Sequence, residues 1–130
     1  MSTDDLLEAA KAVRANAYAP YSNFAVGAAV RAEDGTIVTG CNVENASYGL
    51  GICAERNALT TAVAQGLRRF TEIAIAGPAG IATAPCGACR QFIAEFDPAM
   101  PVTYTGPGEP VRTTLALLLP ESFGPRALGK

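Results

Sequence analysis

Cys53-Ala54-Glu55-Arg56 and Pro85-Cys86-Gly87-Ala88-Cys89-Arg90-Gln91 are the two segments on which the reading of this chain turns. Each stands where a helix is expected to begin. Gly49-Leu50-Gly51 loosens the backbone before a helix from about Cys53 to Gln65, which Gly66 ends. Pro85 and Gly87 flank Cys86 at the opening of a helix over 87–96, stopped at Asp97-Pro98. Three cysteines and one glutamate are thereby placed at helix N-termini, which carry about half a positive charge each and favour thiolate over thiol. Three soft ligands and one acid/base group are what a catalytic zinc site requires.

Working outward, strands and helices alternate around these segments. Residues 4–18 carry Leu6, Leu7, Ala10, Val13 and Ala17 at helical spacing, with Asp4 and Asp5 suited to the N-terminal end. Tyr18-Ala19-Pro20 closes that helix. Phe24, Val26, Ala28 and Val30 alternate with smaller residues and predict a strand over Ser22 to Arg31. A turn at Glu33-Asp34-Gly35 returns the chain as an antiparallel partner over Thr36 to Asn45. Glu72 to Ala76 and Pro101 to Thr105 read as short buried strands. Thr113 to Leu119 fits a strand or a helical turn, and periodicity does not decide between them. The alternation in the second half predicts a partly parallel sheet.

The 130 residues fit one domain, spanning 1–130. Net charge is −2, and the ten basic residues are scattered apart from Arg68-Arg69, which argues against a nucleic-acid groove and for a small-molecule partner. No apolar tract is long enough to span a bilayer. The acidic start Met1-Ser2-Thr3-Asp4-Asp5 is unlike a secretory signal, so a cytoplasmic location is expected. In that reducing setting cysteines serve as ligands, catalytic groups or core fillers rather than disulfides. Histidine is absent, so proton transfer near neutral pH needs a tuned carboxylate, a tuned cysteine or a metal-bound water.

Each candidate has a blander rival. Cys86-x-x-Cys89 alone fits a redox pair as well as half a metal site. Cys41 would close a fourth ligand position and make a structural site, although on a strand it reads better as a small core residue. Three thiolates leave Zn²⁺ with net negative charge, which Arg56, three residues past Cys53, and Arg90, next to Cys89, are placed to offset. Glu55 either complements its helix dipole or accepts and returns a proton beside the metal-bound water. Asn42 and Glu44 share one strand face, and an amide paired with a carboxylate suits sugar hydroxyls; a solvent-facing strand end is the alternative. Phe24 alone reads as core.

The two cysteine segments closely resemble the zinc signature of cytidine deaminases. The resemblance extends to Pro20-Tyr21-Ser22-Asn23-Phe24-Ala25-Val26-Gly27-Ala28-Ala29, to Gly40-Cys41-Asn42-Val43-Glu44-Asn45-Ala46-Ser47-Tyr48-Gly49, and to Leu118-Leu119-Pro120-Glu121-Ser122-Phe123-Gly124-Pro125. The all-cysteine ligand set and short length are similar to the homotetrameric branch. Gly51 departs from the pattern, which commonly has a hydroxyl residue there, and the tail after Pro125 differs in detail.

This resemblance implies a three-layer α/β/α sandwich around a five-stranded mixed sheet. It implies one Zn²⁺ per subunit, held by Cys53, Cys86 and Cys89, with Arg56 hydrogen-bonding the thiolates. Glu55 would carry the proton from zinc-bound water to the pyrimidine ring and then to the leaving ammonia. The N–H of Ala54 and the carbonyl of Ala84 would orient the base, and Phe24 would pack on it. Asn42 and Glu44 would hold the ribose 3′-hydroxyl, and neighbouring subunits would lend Tyr48 and Phe123. The implied activity is hydrolytic deamination of cytidine and 2′-deoxycytidine in pyrimidine salvage. The alternatives are a deaminase of another cytosine nucleoside, such as a blasticidin-type antibiotic, and a non-catalytic zinc module.

Overall fold

The computed structural model describes residues 3–130, Thr3 and Asp4 by backbone alone, so the expected role of the Asp4 side chain lies outside it. The period-two pattern of the sequence builds a sheet with two different faces. In β1 (Gly27–Ala32), Ala28, Val30 and Ala32 point to one face and Ala29 to the other. In β3 (Phe70–Ala76), Ile73 and Ile75 share the first face, and Ala74 and Ala76 the second. With β2 (Ile37–Cys41), β4 (Pro101–Tyr104) and β5 (Val111–Thr114), they form a five-stranded sheet in the order β2-β1-β3-β4-β5. β3 and β4 run parallel and the other neighbours antiparallel, which makes the sheet mixed as expected.

Helices cover both faces. On the small-residue face lies α1 (Thr3–Val13), packing Leu6, Leu7 and Ala10 onto Ala29, Ala74 and Ala76. On the larger face lie α2 (Ala54–Ala64) and α3 (Gly87–Phe96), contributing Ala58, Leu59, Ala62, Ile93 and Ala94 to the main core. Leu59 and Ile93 are fully buried, each worth ~1.5–3 kcal/mol against exposure. α2 rides close to β2 because Ala54, Ala58 and Ala62 present small side chains and Gly40 presents none. A Cβ at Gly40 would lie 2.3 Å from the Ala58 nitrogen. That close approach fixes where the start of α2, and therefore Cys53 and Glu55, stands relative to the end of β2.

Several boundaries differ from the sequence reading, for physical reasons. The first helix ends at Val13 and tightens into a 3-10 turn over Arg14–Asn16. Tyr18 is taken instead by a bridge to Val43: its N–H donates to the Asn42 carbonyl at 2.9 Å, and its carbonyl accepts from Glu44 N–H at 2.8 Å. The expected strand from Ser22 begins only at Gly27, because residues 21–26 are held mainly by the side chains of Asn42 and Glu44, with a single backbone bond to β2's end, from Asn42 N–H to the Val26 carbonyl at 3.2 Å. For the same reason β2 stops at Cys41 instead of running to Asn45. The undecided segment 113–119 is both things in turn: β5 ends at Thr114, and α4 (Leu115–Leu118) follows at once.

Candidate active site

Cys53 and Cys86 are the N-cap residues of α2 and α3, in extended conformation, and neither uses its side chain to cap the helix. Cys89 sits one turn into α3, fully buried. Packing of α2 against α3 brings the three sulfurs within 4.8 Å of one another, and Cys53 Sγ lies 3.8 Å from Cys86 Sγ. Tetrahedral zinc with Zn–S bonds of ~2.3 Å sets its sulfurs about 3.8 Å apart. The spacing fits that metal and is far from a disulfide, and all four cysteines are free.

The electrostatics of the trio also call for a cation. A hydrogen bond from Cys89 lowers the Cys53 pKa to about 5, helped by Arg56 and Cys86 against the opposing effect of burial. Cys89 is pushed up in return, first by that same hydrogen bond to Cys53, then by burial and by the charges on Glu55 and Cys53. The protein by itself therefore favours one thiolate held by its neighbours. Three thiolates together need a metal among them. Cys41 does not join the cluster; it lies half-buried at the end of β2, its carbonyl accepting from Asn57 Nδ2 at 2.8 Å. It stands outside the trio and is half-buried, where its strand position suggested a small core residue.

The two arginines part ways. Arg56 Nη2 points at Cys53 Sγ at 3.6 Å, and this contact raises the guanidinium's affinity for its proton. Its Nε is buried without a hydrogen-bond acceptor among the described residues, as suits a cation directed at sulfur. Arg90, expected to share this task, is committed elsewhere. Its Nε donates to the Pro85 carbonyl at 2.8 Å and its Nη1 to the Leu118 carbonyl at 2.9 Å, tying α3 to α4.

Glu55 lies in the first turn of α2 and is only 4% exposed. Burial raises its pKa, and the nearby Cys53 thiolate pushes in the same direction. A carboxyl so placed holds a proton more readily than one in water, as a proton carrier must. It lines a cavity of about 240 Å³ together with Phe24, Asn42, Glu44, Cys53, Ala54, Ala84 and Cys86. Most of the candidates from the sequence thus meet around one hollow. Tyr48 lines an adjoining cavity of about 440 Å³, shared by Asn42, Glu44 and Cys53, and is 82% exposed. Phe123 lines neither cavity and is 61% exposed; its carbonyl accepts from Gln91 Nε2 at 2.8 Å.

Asn42 and Glu44 share one face, as alternation predicted, and that face meets the loop 21–26. Asn42 Oδ1 accepts from Val26 N–H at 2.9 Å, and its Nδ2 donates to the Phe24 carbonyl at 2.8 Å. Glu44 Oε1 accepts from the N–H groups of Tyr21 and Ser22, and its Oε2 accepts from the Ser22 hydroxyl. The intervening Val43 exchanges two backbone hydrogen bonds with Ile52, at 3.0 and 2.9 Å. This bridge seats the first cysteine beside the polar pair.

Two lining residues escaped the sequence reading. Ser22 was given no role beyond its place in a strand and in a matching block, yet it anchors Glu44. Thr83, buried in the cavity wall, donates its hydroxyl to the Ile81 carbonyl at 3.0 Å and packs where a Cβ on Gly77 would lie 1.9 Å from its Oγ1. The Gly77-Pro78 break was legible as a strand end. That it makes room for Thr83 was not.

Comparison with known proteins agrees with this geometry. Residues 1–105 match the family described as cytidine and deoxycytidylate deaminase zinc-binding region. A cytidine deaminase of Sporosarcina psychrophila is 48% identical over 95% of this chain and 92% of its own length. One from Halalkalibacterium halodurans is 44% identical, covering 95% of both chains. Among solved structures, a cytidine deaminase from Burkholderia pseudomallei superposes with a TM-score of 0.89 at 51% identity, covering 95% of this chain and 100% of that one. The expected α/β/α sandwich is thus the fold observed. With its cysteine trio, buried glutamate and matched sequence in accord, the chain belongs to the zinc-dependent cytidine and deoxycytidylate deaminase family.

Proposed function

We propose that this protein hydrolyses cytidine and 2′-deoxycytidine to uridine and 2′-deoxyuridine, releasing ammonia. The observation that carries this reading is the buried Glu55 carboxylate beside the three converging sulfurs, in the same cavity as Phe24, Asn42 and Glu44. Cys53, Cys86 and Cys89 would hold the metal, and zinc bound there supplies Lewis acidity that brings water's pKa from ~15.7 towards ~7.

The chain's own groups do the rest. Glu55 accepts a proton from the water that attacks C4 and delivers it to N3 of the ring. It then moves the second proton to the exocyclic nitrogen, so that the C4–N bond breaks, ammonia leaves and C4 keeps the oxygen. Burial suits Glu55 to this work by making its carboxyl hold a proton more readily than one in water. Ala54 is the first residue of α2, so its N–H has no partner within the helix and can donate to the base, with the Ala84 carbonyl as the matching acceptor. Phe24 packs on the ring, and Asn42 and Glu44 read the 3′-hydroxyl. Arg56 offsets thiolate charge, which keeps the metal acidic.

Residues 1–130 form a single catalytic domain in this reading, since both helical layers close on one sheet. Exposed apolar side chains beside the cavity, Tyr48, Leu50, Tyr18 and Tyr21, support further copies of the chain completing the site, with Tyr48 and Phe123 lent across a homotetramer. No helix among the described residues is long and apolar enough to cross a membrane. Four free cysteines support a reducing, cytoplasmic setting. A substrate panel tests the proposal. Turnover of cytidine and 2′-deoxycytidine well above that of blasticidin-type nucleosides is expected, and the reverse order would replace the substrate assignment.

A further inference from the structure

The loop 21–26 and the polar end of the second strand form one hydrogen-bonded unit, and a count of its donors and acceptors isolates one side chain. We propose that Ser22 is a positioning residue that fixes the Glu44 carboxylate for the sugar and couples it, through the Phe24 amide, to the ring that packs on the base. The inference rests on the nucleoside reading of the site. A serine hydroxyl has one proton to donate and two lone pairs. The proton goes to Glu44 Oε2, and one lone pair accepts from Phe24 N–H at 3.0 Å. With its proton committed, Ser22 cannot donate to a substrate, and its effect passes through Glu44 and Phe24.

The same count shows what the unit presents to a ligand. Glu44 Oε1 already takes two N–H groups, from Tyr21 at 3.0 Å and from Ser22 at 3.1 Å. Oε2 takes the Ser22 hydroxyl and retains acceptor capacity. Asn42 cannot be turned over, because Oδ1 faces an N–H and Nδ2 a carbonyl; one N–H of its amide is left to donate. An acceptor on Glu44 next to a donor on Asn42 suits a hydroxyl that donates and accepts at once. The Ser22 hydrogen bond is also the main reason Glu44 holds its proton less tightly than a free carboxyl, so the acceptor stays ionised. Asn23, between the two bonded residues, adopts a left-handed φ of 58° that turns Phe24 N–H back toward Ser22.

Steady-state kinetics of zinc-loaded Ser22→Ala and Ser22→Thr, with cytidine and 3′-deoxycytidine, provide the test. Ser22→Ala should raise KM for cytidine and the inhibition constant of uridine about tenfold. Its kcat should stay within about twofold of wild type, since Glu55 is untouched. The penalty should shrink on 3′-deoxycytidine, and Ser22→Thr should restore most of the loss. A fall in kcat at unchanged KM, or the same penalty with and without the 3′-hydroxyl, would overturn the proposal. Amide hydrogen exchange without substrate separates this from the nucleoside reading. Faster exchange at Phe24 in Ser22→Ala is expected, and unchanged exchange would overturn the positioning role whatever the wild type acts on.

Discussion

The two ends of the cavity are built on opposite plans. At the cysteine end, the ligating atoms are left free by the fold: neither Cys53 nor Cys86 caps its helix through sulfur, and the trio contacts mainly itself and Arg56. At the other end, where we propose that the sugar binds, Asn42 and Glu44 are already bonded to the loop 21–26, and only their remaining valences are open to a ligand. The first arrangement is incomplete without a cation, because each further thiolate is opposed by those already present. The second is complete without substrate and therefore preformed. On the proposed function, chemistry and recognition thus fall to different kinds of structure, one electrostatically unfinished and one held in place by its own hydrogen bonds.

That contrast can be broken from the cysteine end. Glu55→Gln keeps the shape of the site and removes the proton carrier, so kcat should fall by about 10²–10⁴-fold while zinc stays bound. Metal content and turnover measured on the same sample check this; substantial remaining turnover would leave Glu55 with only a helix-end role. Arg56→Gln should be milder, lowering kcat about tenfold with most zinc retained, because it removes charge compensation and not a ligand. Zinc loss outrunning the loss of turnover would make Arg56 a structural support of the cysteine cluster. The matching break at the sugar end is Ser22→Ala, whose effect should fall on KM. If all three variants changed kcat and KM together, the two ends would not be separable.

How far this could be read from the sequence follows the same division. The cysteine end depends on short segments at helix starts, and helical signals are local, so the 87–96 helix has the predicted limits and the trio converges as expected. The sugar end depends on partners some twenty residues apart. Phe24 and Val26 do face the main core, as their alternation predicts, yet the backbone there is not a strand because side chains from residues 42 and 44 replace most of its ladder. Period-two patterning reports which way a side chain points and is silent on what holds the backbone. Ser22 was missed for that reason, and Thr83 because the room Gly77 leaves for it is a tertiary contact with no local pattern. Arg90 shows the converse error: proximity in sequence to a cysteine suggested charge compensation, while the Pro85 carbonyl ahead of α3 and the Leu118 carbonyl of α4 claim the side chain. The switch from β5 to α4 within 113–119 defeated periodicity because neither period lasts long enough to register.

The most direct measurement is an absorbance assay on cytidine before and after the metal is stripped by a chelator and one Zn²⁺ per chain is restored. Turnover should disappear with the metal and return with zinc. Undiminished turnover in the metal-free protein, or a fully zinc-loaded protein inert toward cytidine, would contradict it.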